Sequence, residues 1–120
     1  MLNCLLPDAE RRNYVDLHAY PGLDLTLDQY VQNFGFVGYL QQNPVLMGEM
    51  GAFTSSYPQV ADAAAALQAW QIQSCGHKFQ GWLVWTWDTD EQPEIWNAMS
   101  QSGVISQALS PVAHPNPCSP

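Results

Sequence analysis

Apolar and polar residues follow a pattern along the chain that predicts three β-strands, each leading into a helix. YVDLHAY, residues 14–20, alternates strictly between an apolar face and a polar or aromatic face, and the turn residues Pro21 and Gly22 end it. PVLMGEM, residues 44–50, and GWLVWTW, residues 81–87, are nearly continuous apolar runs. Runs of this length are typical of strands that are buried in a parallel sheet.

Helical spacing of apolar residues follows the first strand. Thr26 and Gln29 have the spacing of a capping box, which marks the start of a helix. This helix is expected to weaken at Gly35 and Gly38. Its apolar stripe is Leu27, Tyr30, Val31 and Phe34.

A longer helix is predicted after the second strand. Ser55 or Ser56 is suited to its N-cap, Pro58 to its first turn and Gly76 to its end. The residues expected to form its buried stripe are Val60, Ala63, Ala64, Leu67 and Trp70.

A final helical stretch, which begins at Pro93 and breaks near Gly103, completes the order βαβαβα. This alternation predicts an α/β fold with right-handed crossovers and a parallel sheet in which the three strands follow their sequence order. We expect one domain over residues 14–110. It lies between an N-terminal extension, residues 1–13, and a Pro- and Ser-rich tail, residues 111–120.

The spacing between the strands favours one type of parallel fold. His18 and Glu49 are 31 residues apart, and Glu49 and Trp85 are 36 residues apart. A βα unit of an eight-stranded TIM (β/α) barrel averages roughly 31 residues, which is about 250 divided by eight. No predicted strand is followed by a G-x-G-x-x-G turn or a P-loop, which disfavours a nucleotide-binding domain. The pattern therefore predicts a partial TIM barrel with three parallel strands.

The composition narrows the classes of ligand. The chain has 120 residues and a net charge of −8 with only three Lys plus Arg, which disfavours nucleic acid and anionic membrane surfaces. No segment is long and apolar enough to span a bilayer. Five Trp, five Tyr and four Phe suit a neutral polar ligand such as a sugar better than a nucleotide, although most aromatic residues pack in cores.

The cysteines and histidines do not form a recognisable metal site. Cys4, Cys75 and Cys118 allow either one disulfide with a leftover thiol or three free thiols. No cysteine pair has zinc-site spacing and the three histidines are scattered, so we expect neither a metal nor another cofactor. The first residues, MLNCLLPDAERR, lack the basic start and long apolar stretch of a signal peptide.

Chemically useful side chains stand at the carboxyl ends of all three predicted strands. An ionised glutamate such as Glu49 is costly inside an apolar run unless it is paired or faces a solvated cavity. In a (β/α) barrel the carboxyl ends of the strands face the active site. Each of these residues alone has a structural explanation, but together they favour a site; they are His18, Tyr20, Glu49, Trp85 and Trp87.

These strand ends carry a resemblance to a known family. The H-A-Y of residues 18–20, the G-E of residues 48–49 and the W-T-W of residues 85–87 resemble the last three βα units of glycoside hydrolase family 5, the cellulase and mannanase family. IWNAMSQSGVISQAL, residues 95–109, is similar to the closing helix of secreted members. The resemblance covers nearly the whole chain, and it implies the fold of a (β/α) barrel and an extracellular parent enzyme.

The resemblance also implies roles for individual residues. Glu49 matches the catalytic nucleophile on strand seven, and His18 and Tyr20 match the strand-six pair that lines the cleft, with Tyr20 hydrogen-bonding the nucleophile. Trp85 matches the strand-eight tryptophan that stacks on the sugar at the cleavage point, and Trp87 is expected to add to substrate binding. The implied activity is retaining hydrolysis of a β-linked polysaccharide or oligosaccharide.

Part of the family's machinery is absent from the sequence. A retaining glycosidase needs a carboxylic acid about 5–5.5 Å from the nucleophile to protonate the leaving oxygen. In the family this acid comes from an Asn-Glu-Pro segment at the end of strand four, and the chain has none. Asp16 lies deeper on the strand face of His18, and Asp88, Asp90 and Glu91 lie in a loop, so none matches the acid position.

Two classes of function follow. The chain is either the C-terminal portion of a glycoside hydrolase that needs the missing strands, or a non-catalytic carbohydrate-binding or assembly module derived from the same barrel. Three barrel strands leave two sheet edges unpaired and an inner face, expected to carry Val45, Met47 and Leu83, without packing partners. We therefore expect an inactive isolated chain that associates with itself or with a complementing barrel half.

Overall fold

The computed structural model describes residues 14–33, 44–88, 90–110 and 118. Over these ranges the protein has an α/β fold, in which strands and helices alternate along most of the chain. In order, the elements are β1 (Val15–Ala19), α1 (Leu27–Asn33), β2 (Val45–Met50), β3 (Ala52–Phe53), α2 (Val60–Gly76), β4 (Gly81–Val84), β5 (Ile95–Trp96) and α3 (Ser100–Ala108).

Three of the strands form one parallel sheet in the spatial order β1-β2-β4. β1 pairs with β2 from Val15 opposite Val45, and β2 pairs with β4 from Leu46 opposite Gly81. Parallel neighbours cannot be joined by a tight turn, so the chain crosses over through helical segments between them. The predicted parallel sheet and its strand order are confirmed.

The helices cover one face of this sheet and enclose the core. Alternation along β1 and β2 sends every second side chain towards the helices, where Leu17, Val45 and Met47 are buried. These residues pack with buried side chains of all three helices: Leu27, Val31, Val60, Ala63, Ala64, Leu67, Trp70 and Ile105. Removal of this apolar surface from water is the main stabilisation that such a domain can obtain.

The opposite face of the sheet is not covered by the described helices, and we call it the open face. It carries Asp16, His18, Glu49 and Leu83, and Leu83 is 65% exposed. The prediction that Val45 and Met47 lie on this face is wrong. Val45 is in register with Val15, and Met47 with Trp82, so all four side chains share the helix-covered face.

The start of α1 agrees with the sequence. The backbone N–H of Thr26 donates to the Gln29 side-chain oxygen at 3.0 Å, and the N–H of Gln29 donates to the Thr26 hydroxyl oxygen at 3.2 Å. This reciprocal pair confirms the predicted capping box. Phe34, Gly35 and Gly38, which the sequence places in the later part of this helix, lie outside the described residues.

α2 begins later than predicted. Ser56 and Tyr57 form a turn whose backbone N–H groups donate to the carbonyl of Phe53, so neither Ser55 nor Ser56 is the N-cap and Pro58 precedes the helix. The N-cap is Gln59, in an extended conformation and without a side-chain cap. The rest of the prediction is confirmed: the helix ends at Gly76, and Val60, Ala63, Ala64, Leu67 and Trp70 are all buried.

No helix begins at Pro93. The residues that follow form β5, which pairs antiparallel with β3 through Ala52 opposite Trp96 and Phe53 opposite Ile95. This long-range pairing buries Ile95 and takes precedence over local helical spacing. The break predicted near Gly103 is present, because Gln101, Ser102 and Gly103 have positive φ angles inside α3.

Two cysteines are paired. Cys75, near the end of α2, forms a disulfide with Cys118 in the tail, with the two Cα atoms 5.2 Å apart. Cys4 lies outside the described residues, as does the whole predicted N-terminal extension. Among the helices described, none combines the length and the apolarity that crossing a membrane requires.

Candidate functional site

Glu49 is aimed onto the open face by a β-bulge. Asp16 lies opposite Leu46 and His18 lies opposite Glu49, so β2 uses one residue more than β1 over the same stretch. The same extra residue appears against β4, between Met47 and Met50. Without it, alternation from Met47 would turn Glu49 into the helix-covered core, because residues two apart share a face. The bulge therefore exposes the carboxylate while Met47 and Met50 stay fully buried.

Two side chains of the β1 region contact the Glu49 carboxylate. The Tyr20 hydroxyl donates a hydrogen bond to Glu49 Oε1. His18 Nδ1 lies 3.3 Å from Glu49 Oε2, so each carboxylate oxygen has its own partner. The Glu49 side chain is 22% exposed, which leaves it shielded by its partners and still open to a ligand from the open face.

Gly48 and Gly51, on either side of Glu49, allow other residues to approach the backbone at the end of β2 closely. A Cβ at Gly48 would lie 1.9 Å from an oxygen of the Asp16 carboxylate. A Cβ at Gly51 would lie 2.6 Å from the backbone oxygen of Trp85 and 2.7 Å from the Tyr20 ring. A Cβ at Gly48 would thus displace the Asp16 carboxylate from this position, and a Cβ at Gly51 would collide with backbone, so both glycines permit the close packing around Glu49.

Trp85 lies at the same end of the sheet as Glu49. Its backbone N–H donates to the Met50 carbonyl at 2.8 Å, which places it beside the carboxyl end of β2. Its indole N–H donates to the side-chain oxygen of Gln92, and the side chain is 40% exposed. An indole face that is held by its edge and partly open to solvent is suited to the apolar face of a sugar ring.

Trp87 is directed elsewhere. It lines a cavity of about 350 Å³ between the end of β4 and α3, together with Val84, Ala98, Ile105 and Leu109. Its carbonyl accepts a hydrogen bond from the N–H of Met99, just before α3. Three of the predicted residues, His18, Tyr20 and Glu49, are thus in direct contact, Trp85 is nearby, and Trp87 belongs to another part of the surface.

A second cavity, of about 320 Å³, lies between the loop after β1 and α2. Tyr57 and the largely buried Trp70 are among its lining residues, together with Asp24. Burial raises the pKa of Tyr57, and burial together with the Asp24 charge raises the pKa of the neighbouring Tyr30. These shifts keep both phenols neutral further into the alkaline range.

Two residues that contact the site, Asp16 and Gln92, are not among the predicted site residues. Asp16 contacts His18 with its Oδ2 atom 3.1 Å from Nε2, and Gln92 holds the Trp85 indole. The strict alternation of residues 14–20 does place Asp16 on the face of His18, but only the fold places its carboxylate over Gly48. Within the described ranges, no three His, Cys, Asp or Glu side chains are arranged to hold a metal ion.

The arrangement can act chemically through Glu49. A carboxylate that accepts a hydrogen bond on one oxygen and faces an imidazole on the other is held in one orientation, as a nucleophile or a base requires. No family model, curated protein or solved structure matches the chain.

Proposed function

We propose that this chain is the C-terminal portion of a retaining β-glycan hydrolase barrel, with Glu49 as the nucleophile. The observation that carries the proposal is the contact of Tyr20 and His18 with the two oxygens of Glu49, at the carboxyl ends of adjacent parallel strands. In a (β/α) barrel, catalytic residues come from these strand ends. Trp85 at the same end supplies the aromatic surface on which a sugar ring stacks.

The reaction divides between this chain and a partner. Glu49 attacks the anomeric carbon, the bond from that carbon to the leaving oxygen breaks, and water later hydrolyses the glycosyl ester. An unactivated sugar leaving group needs a proton from a carboxylic acid about 5–5.5 Å from the nucleophile. We assign this acid to a complementing barrel half, which would also cover the open face and pair with the sheet edges. The isolated chain is therefore expected to release no reducing sugar from β-glucan or mannan.

We also propose that the parent enzyme is extracellular. The disulfide between Cys75 and Cys118 favours an oxidising environment, since structural disulfides are rare in reducing compartments. Polysaccharide substrates are too large to enter cells, so a secreted parent enzyme is consistent with both the disulfide and the proposed substrate class.

The proposal is tested by supplying the missing strands. The chain is co-expressed with a second chain of five βα units whose fourth strand ends in a glutamate, and hydrolysis of aryl β-glucosides and β-mannosides is measured. Glu49→Gln is expected to abolish turnover, because an amide is a far poorer nucleophile than a carboxylate. Glu94→Gln makes the same chemical change at an exposed site and is the matched control.

A rescue experiment identifies the role of Glu49 more closely. In Glu49→Gly, added azide should attack the anomeric carbon of an activated aryl glycoside, form a carbon–nitrogen bond and expel the aryloxide. The product is a glycosyl azide of inverted configuration. If Glu49→Gln keeps full activity, or if azide has no effect while the wild-type assembly is active, Glu49 is not the nucleophile.

A non-catalytic carbohydrate-binding module is the second candidate. The large exposed surface of Trp87, 65%, and of Trp85, 40%, favours it. In that case the isolated chain binds a soluble β-glycan, Trp85→Ala or Trp87→Ala weakens the binding, and Glu49→Gln leaves it unchanged. Measurement of binding by the isolated chain therefore separates the two candidates.

A further inference from the structure

The Asp16 carboxylate occupies a space that β2 leaves free for it. Asp16 and His18 are two residues apart on β1, so both side chains project onto the open face. One Asp16 oxygen lies where a Cβ of residue 48 would be, so only glycine at this position admits it. The other oxygen is 3.1 Å from His18 Nε2. The carboxylate is thus held between the imidazole and the residue just before Glu49.

His18 lies between two carboxylates, one on each ring nitrogen. Nε2 contacts Asp16 Oδ2 at 3.1 Å and Nδ1 contacts Glu49 Oε2 at 3.3 Å. The ring therefore bridges the two carboxylates, and its orientation is set from both sides.

We propose that Asp16 is a positioning residue for Glu49 and acts through His18. Asp16 fixes the orientation of the His18 ring. The ring in turn fixes the position of Glu49 Oε2, while Tyr20 binds Glu49 Oε1. The charged or titratable groups at the ring are Asp16 on its own strand and Glu49 with its partner Tyr20; the open-face residues of the β4 side, Leu83 and Trp85, are uncharged. This inference rests on the proposed function, in which Glu49 is the reacting group.

The test uses the full chain and needs no activity. The histidines are labelled with nitrogen-15, and the ring signals of His18 are assigned with His18→Gln. In the wild type, one set of ring signals is expected for His18, because a carboxylate lies against each ring nitrogen. Asp16→Ala should shift the Nε2 signal, because that nitrogen loses its carboxylate partner, and the Nδ1 signal, because the ring reorients relative to Glu49. Gly48→Ala should have the same effect, because the new methyl group displaces the Asp16 carboxylate without removing any polar group.

Two further variants control the result. Asp16→Asn keeps the shape of the side chain and removes its charge, so it tests the role of the carboxylate even if Asp16→Ala folds poorly. Asp62→Asn makes the same change on the exposed surface of α2 and should leave the His18 signals unchanged. Identical His18 signals in the wild type, Asp16→Asn and Gly48→Ala would overturn the proposal.

A kinetic measurement separates this proposal from the proposed function. In a complemented assembly that hydrolyses aryl glycosides, Asp16→Ala should lower kcat by up to about 100-fold with a smaller change in KM, as expected for a misoriented nucleophile. If Asp16→Ala instead raises KM and leaves kcat unchanged, the positioning role is contradicted. If no assembly hydrolyses any glycoside, the proposed function fails, and the His18 spectra still decide whether Asp16 holds the ring.

Discussion

His18 of β1 lies directly opposite Glu49 of β2, and it does so because β2 contains one extra residue between their paired neighbours. In a regular ladder that starts from Asp16 opposite Leu46, His18 would face Gly48. Glu49 would then face Ala19, which is fully buried. The bulge thus moves one carboxylate from the core to the open face, where it meets Tyr20 and His18. Bulges are frequent next to active sites for this reason.

Alanine at the two glycines flanking Glu49 is predicted to destabilise the fold to different degrees. Gly48→Ala meets the end of the Asp16 side chain, which can rotate away, so we expect a loss of about 1–3 kcal/mol. Gly51→Ala meets the backbone oxygen of Trp85, which can move only if the main chain just after β4 shifts, so its cost should exceed that of Gly48→Ala. Urea denaturation of each variant measures both losses.

Gly76→Ala is the matched control for these glycines. A Cβ at Gly76 has no atom within 4 Å, and the residue ends α2, so alanine should be neutral or stabilising by up to about 1 kcal/mol. The double variant Asp16→Ala/Gly48→Ala should recover part of the loss caused by Gly48→Ala. Equal stability of all the single variants would contradict the close packing around Glu49.

The open face is predicted to drive self-association of the isolated chain. Leu83 is 65% exposed on the uncovered side of the sheet, next to the outer edge of β4, which pairs with no other strand among the described residues. Exposed apolar surface beside unpaired strand groups favours association. Size-exclusion chromatography should show oligomers that Leu83→Gln shifts towards the monomer. Ile72→Gln, which changes an exposed residue of α2, should have no effect on the elution volume.

The disulfide between Cys75 and Cys118 is predicted to be a major contribution to stability. The two residues are 43 positions apart, and removal of a disulfide that closes a loop of this length lowers the free energy of unfolding by about 2–4 kcal/mol. The variant Cys75→Ser/Cys118→Ser should show this loss in urea denaturation. A reductant should destabilise the wild type and leave the double variant unchanged. A non-reducing peptide map that joins Cys4 to either residue would contradict the pairing.

Replacement of Gln71 is predicted to stabilise the protein. Gln71 on α2 is 3% exposed, and its side-chain oxygen has no hydrogen-bond partner among the described residues. A buried polar atom without a partner is costly, so Gln71→Met should raise the free energy of unfolding by about 1 kcal/mol. Gln73→Met, on the exposed side of the same helix, should leave it within about 0.5 kcal/mol of the wild type. A destabilised Gln71→Met would show that the oxygen is bound in solution.

Local patterns in the sequence were sufficient for most of the parallel sheet and its helices. The alternation of residues 14–20, the capping box at Thr26 and the apolar stripe of α2 each depend on neighbours within one or two turns, and each appears in the structure. The identity of the candidate residues His18, Tyr20 and Glu49 also followed from the sequence, because strand ends can be located from the pattern alone.

The tertiary structure decided the features that depend on distant parts of the chain. The bulge before Glu49 exists through pairing with two neighbouring strands, and β5 replaces the helix expected at Pro93 because β3 pairs with it. The pairing of Cys75 with Cys118 likewise depends on which surfaces pack together. The same holds for the position of Trp87, which lines a cavity beside α3 and not the site around Glu49. Residue spacing encodes the local hydrogen bonds of an element, whereas contacts across many residues are set by the packing of the whole chain.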